Sequence, residues 1–503
     1  MNQYIKEDFT NEFMEKLDKE KFYLIGGECE VGKTTAIMEK LVPFAKKHHR
    51  EVLYVCNRLS LKDQLTGKYI EETMDEYGVF KQNDNLTIGM YQSITKALEK
   101  GCSFLYEEKY DYIILDEAHL IYDAADYDLN SYLFMEFINK VDSIVVYMSG
   151  TPESINKLEE YMTKKLVPLR KVDKTNNPIG TVYLVEDKNV FESLRAQYLE
   201  KDYKWIELVS RSKQFRGVKN KLSNFKVSNL LSSSNVSRDL YMADYDDMVL
   251  KTVIEDEELP CELLLATKFL DVGVNINAHS NFVAAFNCVE MPNTLEQFRN
   301  RIRIKKDDPF HIDIIIYVQR PPKWQLDILK NKLKEINDIY DELESYERVI
   351  MEHNHAFGKR FRKGGVISER EYNPITKKLL EEKIAFFKGM YEAKNLIEFY
   401  RGFLIEMYPD KKIINYKALE FDYFLESLIG EVESINLTNI QQQQLRFKMK
   451  ELRIDPRHSN ELPHLNRINS FLKEEKIPYI LKNPVIRIEG KQTRIWRLEK
   501  CAR

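Results

Sequence analysis

Short apolar runs alternate with helix-like segments along the first 150 residues of the chain. The apolar runs end in polar residues, and helix-like stretches such as 35–41 and 61–65 lie between them. Apolar runs of this length predict buried strands, and their alternation with helices is typical of a parallel sheet that helices cover on both faces. We therefore predict an α/β first lobe whose strands are residues 22–25, 52–55, 86–89, 112–115 and 144–147.

A second series of strands and helices begins near residue 180. Residues 181–185, 205–209 and 263–266 are apolar runs of similar length. They predict a second parallel-sheet lobe, and in such sheets ligands bind at the carboxyl ends of the strands.

The composition changes after Pro321 and Pro322. Apolar residues recur there at three- and four-residue spacing, which predicts a helix over about 325–350, and helical segments continue to about residue 452. The chain is long enough for about three domains. We predict four regions. They are a first lobe at residues 1–170, a second lobe at 171–320, a helical region at 321–440 and a basic α+β C-terminal module at 441–503.

The last 63 residues are basic, with 15 Lys and Arg against 7 Asp and Glu in 441–503. Residues 465–472 predict a helix, 478–481 and 485–488 predict short strands, and 493–498 is expected to pair with the second strand. A helix followed by a basic hairpin is compatible with a winged-helix-like module that binds nucleic acid. A small cap that stabilises the rest of the protein fits the same pattern.

Composition excludes several classes of protein. No apolar run approaches the roughly 18 residues of a membrane-spanning helix, so we expect no membrane partner. The six cysteines are scattered without a C-x-x-C pair, which indicates neither a zinc site nor a disulfide framework. The N-terminus is polar and acidic, unlike a signal peptide. We expect a cytoplasmic protein.

A phosphate-binding loop follows the first predicted strand. Residues 27–34 have the spacing G-x-x-x-x-G-K-T, and a helix-like segment comes next. In such loops backbone N–H groups face a triphosphate, the lysine reaches its β- and γ-phosphates, and the threonine holds Mg²⁺. The predicted ATP-binding residues are Gly27, Glu28, Cys29, Glu30, Val31, Gly32, Lys33, Thr34 and Thr35.

Two further polar segments follow predicted strands of the first lobe. Residues 116–119 read Asp-Glu-Ala-His, and residues 149–152 read Ser-Gly-Thr-Pro. A carboxylate just after a buried strand, here Asp116, is placed to hold Mg²⁺ together with Thr34, and Glu117 can orient the attacking water.

Taken together, these motifs resemble those of superfamily 2 helicases of the DEAH type, over roughly residues 15–320. The resemblance implies two tandem RecA-like lobes that hydrolyse ATP with Mg²⁺. Residues 263–276 resemble the family's motif V, although Asn275 stands where the family often has Asp. By resemblance, His119, Ser149, Thr151 and Gly273 couple the ATP site to nucleic acid. The implied nucleic-acid contacts are Arg58, Gln64, Thr87, Gln92, Arg211 and Thr267.

The resemblance extends to a motif VI at residues 297–303, with Asn300 in place of the family's glycine. A phosphoryl-transfer site needs positive charge at the γ-phosphate, which an arginine of a second lobe supplies when the lobes close. Gln297, Arg301 and Arg303 are therefore the predicted catalytic residues of the second lobe, with the two arginines as finger and sensor. Lys33, Asp116 and Glu117 are those of the first.

The resemblance implies a helicase or translocase that acts on single-stranded or forked DNA. The compact motif VI and the Ser-Gly-Thr-Pro element look most like replication helicases, of the origin-binding type, of viruses, phages and mobile elements. This implies 3′→5′ movement in a bacterial or phage-infected cell. A duplex-DNA translocase of a restriction, defence or repair complex, an RNA helicase, and an ATP-switched scaffold that recruits protein partners through its C-terminal region remain alternatives.

Overall fold

The computed structural model divides into two compact units. The first contains Met1–Pro178, Tyr198–Ile312 and Gln319–Leu396, and the second contains Ile179–Gln197, Asp313–Val318 and Ile397–Arg503. This division into two units does not test the four regions predicted from the sequence, which stay predictions. The structure describes residues 5–27, 32–56, 80–82, 85–99, 109–125, 131–170, 178–210, 214–230, 247–267, 275–304, 308–342, 362–363, 366–367, 373–452, 463–488 and 491–501.

The first lobe contains a seven-stranded sheet in the order β3-β4-β2-β5-β6-β1-β7. All neighbouring strands are parallel except β3 and β4, which are antiparallel. The five strands predicted for this lobe are confirmed. The strands are β1 (Lys21–Gly26), β2 (Val52–Cys56), β3 (Phe80–Gln82), β4 (Leu86–Met90), β5 (Tyr112–Leu115), β6 (Ile144–Ser149) and β7 (Lys165–Arg170).

Helices cover both faces of this sheet, which explains why its strands are apolar throughout rather than alternating. In β2, Leu53 and Val55 pack into one apolar cluster, while Tyr54 and Cys56 pack into the cluster on the opposite face. The helices are Asn11–Glu15, Lys33–Ala36, Val42–Lys47, Tyr91–Glu99, Leu120–Asp123, Ser131–Lys140 and Glu153–Asn156, with a π-helical turn at Ile37–Leu41 and 3₁₀ turns at Ile5–Glu7 and Glu159–Tyr161.

The second lobe also contains a seven-stranded sheet. Four of its strands, in the order β10-β11-β9-β13, belong to the first unit and are parallel. Most of β15 and all of β8 and β18 belong to the second unit, where β8 and β18 are parallel. The strands are β8 (Ile179–Val185), β9 (Lys204–Val209), β10 (Val227–Leu230), β11 (Leu263–Ala266), β12 (Ile276–Asn277), β13 (Phe282–Asn287), β14 (Ile302–Arg303), β15 (Ile312–Tyr317) and β18 (Ile413–Asn415).

The two-lobe α/β fold is thus confirmed, and β12 and β14 add a short parallel pair to the second lobe. Its helices are Lys188–Leu199, Gln214–Lys221, Asp247–Glu255 and Pro292–Arg299. Among the described residues, none of the helices combines the length and the apolar character that crossing a bilayer would take.

Long helices follow the second lobe, as predicted. They are Lys323–Glu342, Pro374–Glu392 and Leu396–Met407, and the two short strands β16 (Arg362–Lys363) and β17 (Val366–Ile367) come between the first two. We call Pro374–Glu392 the bracing helix because it packs on the first lobe. Its Ile375 and Leu379 are part of the first lobe's apolar core. Its Thr376 Oγ1 donates a hydrogen bond of 2.7 Å to the carbonyl of Ala125.

The chain ends in a small α+β module, as predicted, which we call the C-terminal module (residues 416–501). Its apolar core runs from Ala418 to Leu498. A three-stranded antiparallel sheet has the order β19-β23-β20, and β21 and β22 form a separate antiparallel hairpin. The elements are the helices Tyr416–Ile429, Asn439–Glu451 and Leu465–Glu474 and the strands β19 (Ser434–Leu437), β20 (Tyr479–Lys482), β21 (Val485–Ile488), β22 (Lys491–Arg494) and β23 (Trp496–Lys500).

One predicted strand pairing in this module is confirmed only for Thr493 and Arg494, which pair with Ile486 and Val485. The sequence predicted that 485–488 pairs with 493–498, but β21 pairs with 491–494, and 496–500 joins the three-stranded sheet. The reason is apolar burial, because Trp496 and Leu498 pack into the core of the module. The module thus combines helices with small antiparallel sheets, and both the winged-helix-like module and the stabilising cap stay predictions.

Candidate active site

The carboxyl ends of β1, β5 and β6 bring three polar segments to one edge of the first sheet. β6 lies between β5 and β1, and the register places Gly26 beside Ser149. The N–H of Gly27 donates to the carbonyl of Ser149 at 3.1 Å. Because parallel strands end at the same edge, the phosphate loop, the Asp-Glu-Ala-His segment and the Ser-Gly-Thr segment converge there.

The described part of the phosphate loop, Gly27 and residues 32–34, lies between the end of β1 and the start of a helix. Gly32 has φ 80° and ψ 30°, a left-handed conformation that glycine adopts without a steric penalty, and the next residue starts a helix. The ammonium of Lys33 donates to the carbonyl of Gly27 at 2.7 Å. The cation and the start of the helix therefore lie together, an arrangement that binds phosphate. Glu28, Cys29, Glu30 and Val31 lie outside the described residues, whereas Thr34 and Thr35 lie in the first helical turn.

Asp116 is a buried carboxylate with defined partners. The Tyr54 hydroxyl donates to Asp116 Oδ2 at 2.7 Å and lies 3.5 Å from Thr34 Oγ1. The N–H of Glu117 donates to Asp116 Oδ1 at 3.1 Å, and the Tyr91 hydroxyl donates to the Asp116 carbonyl at 2.9 Å. Tyr54 thus links the two oxygen groups that the sequence assigned to Mg²⁺.

Burial and, after it, the negative charge of Glu117 raise the pKa of Asp116 to about 6, although the Tyr54 hydrogen bond and the charge of Lys33 oppose the shift. A carboxylate that burial makes costly to ionise gains strongly from a nearby divalent cation. Within the described part of the chain no three His, Cys, Asp or Glu side chains cluster as a metal cage. Magnesium needs no such cage, since one or two carboxylates and substrate phosphates hold it in phosphoryl-transfer sites. Thr34 and Asp116 fit this requirement.

Glu117 lies between side chains of both lobes. Its backbone has φ 50°, a left-handed conformation that is strained for a residue with a Cβ. Its Oε2 is 3.4 Å from His119 Nδ1, and its Oε1 is 3.6 Å from Arg301 Nη1. The carboxylate that the sequence assigned to the attacking water therefore lies within ion-pair distance of an arginine of motif VI.

His119 connects the Asp-Glu-Ala-His segment to the segment that follows β6. His119 Nδ1 lies 2.9 Å from Ser149 Oγ, and the N–H of Thr151 donates to the same oxygen at 2.9 Å. Both side chains of the pair are buried. A shift of the His119 ring would therefore change the position of residues 149–151 directly, because no water layer separates them.

The two predicted arginines of motif VI contact different carboxylates. Arg301 is only 5% exposed, and its carbonyl accepts a hydrogen bond of 2.8 Å from Ile276 N, which ties it to the β12–β14 pair. Arg303 Nη1 lies 3.9 Å from Glu257 Oε2, and Asn277 Nδ2 donates to that oxygen at 3.1 Å. The geometry thus brings Arg301 to Glu117 and Arg303 to Glu257.

Gln297 contacts a residue that the sequence analysis did not select. Its Nε2 donates to Asp123 Oδ2 at 2.7 Å, and the Ser154 hydroxyl donates to Asp123 Oδ1 at 2.8 Å. Asn293 Nδ2 donates to Ser154 Oγ at 3.3 Å. Asp123 thus holds side chains from both lobes with its two oxygens. We call these four residues the Asp123 network.

Six residues of the site were missed by the sequence reasoning. All of them make contacts described above, and they are Tyr54, Tyr91, Asp123, Ser154, Glu257 and Asn293. The sequence held a partial signal for two of them, since Tyr54 ends a strand next to the predicted site and Asp123 lies one helical turn after His119. It held no signal for Glu257, which reaches Arg303 only through the tertiary fold.

The predicted nucleic-acid contacts are only partly described. Thr87 is 2% exposed inside β4, Gln92 is half-buried, and Thr267 follows β11, where its N–H donates to the Leu230 carbonyl at 3.4 Å. These assignments stay predictions. Arg58, Gln64, Arg211 and Gly273 lie outside the described residues.

Comparison with known proteins identifies a family related to the first lobe. Residues 2–154 match the family model described as "Type III restriction enzyme, res subunit". An uncharacterized protein of Methanocaldococcus jannaschii is 23% identical over an alignment of 336 residues that covers 59% of this chain and 25% of that protein. The chain thus spans about a quarter of the length of the curated relative that it matches. The matched residues include the phosphate loop and the Asp-Glu-Ala-His and Ser-Gly-Thr segments of the first lobe.

Several solved helicase structures are similar to the chain. The DEAD-box helicase Mss116 bound to single-stranded RNA and UDP-BeF has a TM-score of 0.45 at 15% identity, covering 75% of this chain and 86% of that one. S. cerevisiae Dbp5 bound to RNA and ADP BeF3 has a TM-score of 0.41 at 16% identity, covering 62% and 83%. The DUF1998 helicase MrfA bound to DNA has a TM-score of 0.42 at 12% identity, covering 75% and 55%.

Proposed function

We propose that this protein is an ATP- and Mg²⁺-dependent DNA helicase or translocase that moves along one strand in the 3′→5′ direction. The observation that carries the proposal is the 3.6 Å approach of Arg301 Nη1 to Glu117 Oε1, at the edge where the phosphate loop also ends. Contributions from two lobes to one phosphate site make hydrolysis depend on how the lobes are arranged, which is the basis of a motor.

Each residue has a separate role in ATP hydrolysis. Lys33 binds the β- and γ-phosphates, and the oxygens of Thr34 and Asp116 hold Mg²⁺, which neutralises phosphate charge. Glu117 orients the attacking water and accepts its proton, and His119 fixes the orientation of the Glu117 carboxylate from 3.4 Å. Arg301 is the finger that stabilises negative charge on the γ-phosphate as its bond to the leaving group loosens.

The Asp123 network and the His119–Ser149 contact transmit the state of this site. Loss of the γ-phosphate removes the attraction for Arg301, so the position of motif VI changes relative to the first lobe. The hydrogen bond between Gln297 and Asp123 transmits this change in position to the first lobe. The hydrogen bond between Asp123 and Ser154 transmits it on to the segment after β6. If a DNA strand is held differently in the two arrangements, each cycle advances the strand.

DNA is proposed as the substrate because the spacing of Gln297, Arg301 and Arg303 and the Ser149–Pro152 element resemble those of replication helicases. The same resemblance supports a role in replication of a phage, virus or mobile element. The surplus of eight positive charges in residues 441–503 suits a polyanionic partner.

The test is the ATPase rate of the full chain without nucleic acid and with single-stranded DNA, duplex DNA or single-stranded RNA. The ATPase rate of the Lys33→Ala variant, which lacks the phosphate contact, is the background rate for each nucleic acid. Stimulation by single-stranded DNA, followed by displacement of a strand from a 3′-tailed but not a 5′-tailed duplex, is the expected result. Stimulation by RNA alone, or a rate that ignores all three nucleic acids, would overturn the proposal.

A duplex-DNA translocase of a restriction complex is the second candidate, and the family match at residues 2–154 favours it. Its ATP chemistry would be the same, but it would follow duplex DNA without separating the strands. ATPase stimulation by blunt duplex DNA with no strand displacement from either tailed substrate is the result that selects this candidate over the first.

A further inference from the structure

The hairpin of β21 and β22 carries two arginines on one exposed face. The register pairs Val485 with Arg494 and Arg487 with Gln492. Alternate residues of a strand point to the same side, so these four residues share one face. All four are exposed, and Val485 retains 54% of its accessible surface. We call this surface the basic hairpin face.

Several cations of the module outside the basic hairpin face have partners within it. Lys448 pairs with Glu420 at 2.8 Å, Lys482 pairs with Glu499, and Arg446 lies over the ring of Trp496 at 4.5 Å. Among the described residues, Arg487 and Arg494 make neither an ion pair nor a side-chain hydrogen bond.

The eight residues of the two strands include no acid, whereas Glu489, between them, lies outside the described residues. Two exposed arginines on one face, on strands that contain no acid, favour an anionic partner.

The helix Leu465–Glu474 of the same module adds a polar surface. Its Ile468 and Leu472 are buried in the core, while Asn466, Ser470 and Lys473 are exposed at spacings of four and three residues. Residues at these spacings lie on one side of a helix. Amide, hydroxyl and ammonium groups are the donors that contact phosphates and base edges of a duplex.

We propose that the basic hairpin face and the exposed side of the helix Leu465–Glu474 form a binding site for duplex DNA, distinct from the strand path of the motor. The size of a two-stranded ribbon or a helix matches the major groove, which is about 12 Å wide. Neither surface exposes an aromatic ring, and proteins that grip single strands stack bases on such rings. The site contacts phosphates of paired DNA through Arg487, Arg494 and Lys473.

This inference rests on the proposed function, because that function is the reason for choosing DNA as the anionic partner. All residues of the site belong to the second compact unit, whereas Lys33, Asp116, Glu117 and Arg301 belong to the first. Binding through the site therefore needs no ATP, and it can be measured separately from the motor.

The experiment measures the affinity of the full chain for a blunt 20-base-pair DNA by fluorescence anisotropy, without ATP, over a series of salt concentrations. The test variant is Arg487→Ala/Arg494→Ala. The matched control is Lys16→Ala/Lys251→Ala, which removes two exposed helix-surface cations, 69% and 63% exposed, and changes the net charge equally. Thermal unfolding of both variants is expected to match the wild type, since the replaced side chains are exposed.

The test variant is expected to bind the duplex at least about tenfold more weakly in 0.1 M salt, and the slope of log K against log salt should fall in magnitude by about 1.8, or 0.9 per phosphate contact. The control variant should keep the wild-type slope, and binding of single-stranded DNA should change less than threefold in both. A test variant that behaves like the control, or an equal loss on single-stranded DNA, would overturn the proposal.

ATPase rates separate this result from the fate of the proposed motor. If duplex affinity depends on Arg487 and Arg494 while no nucleic acid stimulates ATP turnover, the binding site stands and the motor function fails. If single-stranded DNA stimulates turnover in both variants while duplex affinity is unchanged, the motor stands and the site is wrong. The basal ATPase rate is expected to be unchanged in either variant.

Discussion

The ATP-site edge of the first lobe and the basic hairpin face both carry functional charge, but they hold it in opposite ways. At the ATP site, Asp116 and Arg301 are 6% and 5% exposed, and Asp116 is fixed by hydrogen bonds from Tyr54 and Glu117. On the basic hairpin face the arginines are exposed and, within the described residues, neither is paired. The ATP-site edge holds each charge in a fixed position, whereas the basic hairpin face exposes its charges to solvent, where a partner can bind them.

This difference predicts how each region responds to mutation and to salt. Buried charges act in a low dielectric and at fixed distances, so removal of one has a large effect that salt hardly screens. Exposed cations act through a screened field, so each has a small effect that adds to the others and disappears at high salt. Four substitutions test the ATP-site side of the comparison, from the largest expected effect to the smallest.

Arg301→Ala is expected to lower kcat for ATP hydrolysis by about 10³-fold, because a finger arginine stabilises charge that develops in the transition state. The Kd for ATP should change far less than in Lys33→Ala. The measurement is single-turnover hydrolysis together with nucleotide binding. Arg303→Ala is the matched variant, and a loss in it as large as that in Arg301→Ala would contradict the assignment of the finger to Arg301.

Glu117→Gln is expected to lower kcat by about 10²-fold or more, since the amide cannot accept a proton from the attacking water. ATP binding should be retained, so the variant should accumulate in the ATP-bound state on DNA. Quench-flow measurements of bound ATP and product check this. Normal turnover in Glu117→Gln would show that residues 116–119 are not the catalytic segment.

Tyr54→Phe is expected to raise the Mg²⁺ concentration for half-maximal ATPase activity by about tenfold, the cost of one hydrogen bond to a charged group. The Tyr54 hydroxyl holds Asp116 Oδ2 at 2.7 Å and lies near Thr34, so its loss leaves both Mg²⁺ ligands less fixed. Maximal activity at saturating Mg²⁺ should recover. An unchanged Mg²⁺ requirement would place Asp116 outside the metal site.

Asp123→Asn is expected to have the smallest effect, a reduction of about fivefold in DNA-stimulated turnover with little change in basal turnover. The Asn amide oxygen can still accept a hydrogen bond from either Gln297 or Ser154, but not the pair that two carboxylate oxygens hold. The check is a double-mutant cycle with Gln297→Ala. Independent effects would show that the two residues are not coupled, since contacting residues typically couple by 0.5–3 kcal/mol, and thus by at least about twofold in rate.

All four effects should persist between 50 mM and 300 mM salt, whereas the contribution of the basic hairpin face should decline over that range. An ATP-site variant that recovers at high salt, or a hairpin variant that does not respond to salt, would break the comparison between the two regions.

Some of these features could be predicted from the sequence because they depend on local pattern. The strands of the first lobe were predictable from continuous apolar runs, and the approach of residues 27, 116 and 149 followed from the parallel strands that precede them.

Other features depend on chain segments that meet only in the folded protein. Nothing local to Asp123 indicates that its carboxylate binds Gln297, which lies 174 positions further along the chain. Residues 491–494 and 496–500 both carry basic residues, and the packing of Trp496 and Leu498 in the module's core places the second segment in the three-stranded sheet. Such choices depend on tertiary packing, which outweighs local preference.

The bracing helix has a consequence for how the protein is made. Its Ile375 and Leu379 complete the core of the first lobe, and the hydrogen bond from Thr376 to Ala125 spans 251 positions. During synthesis the first lobe leaves the ribosome before the bracing helix is translated. The apolar surface of the lobe that this helix covers therefore stays exposed to solvent while the second lobe is translated. Contacts of such long sequence separation form slowly. The nascent chain should therefore need a chaperone most in the interval before residue 392 emerges.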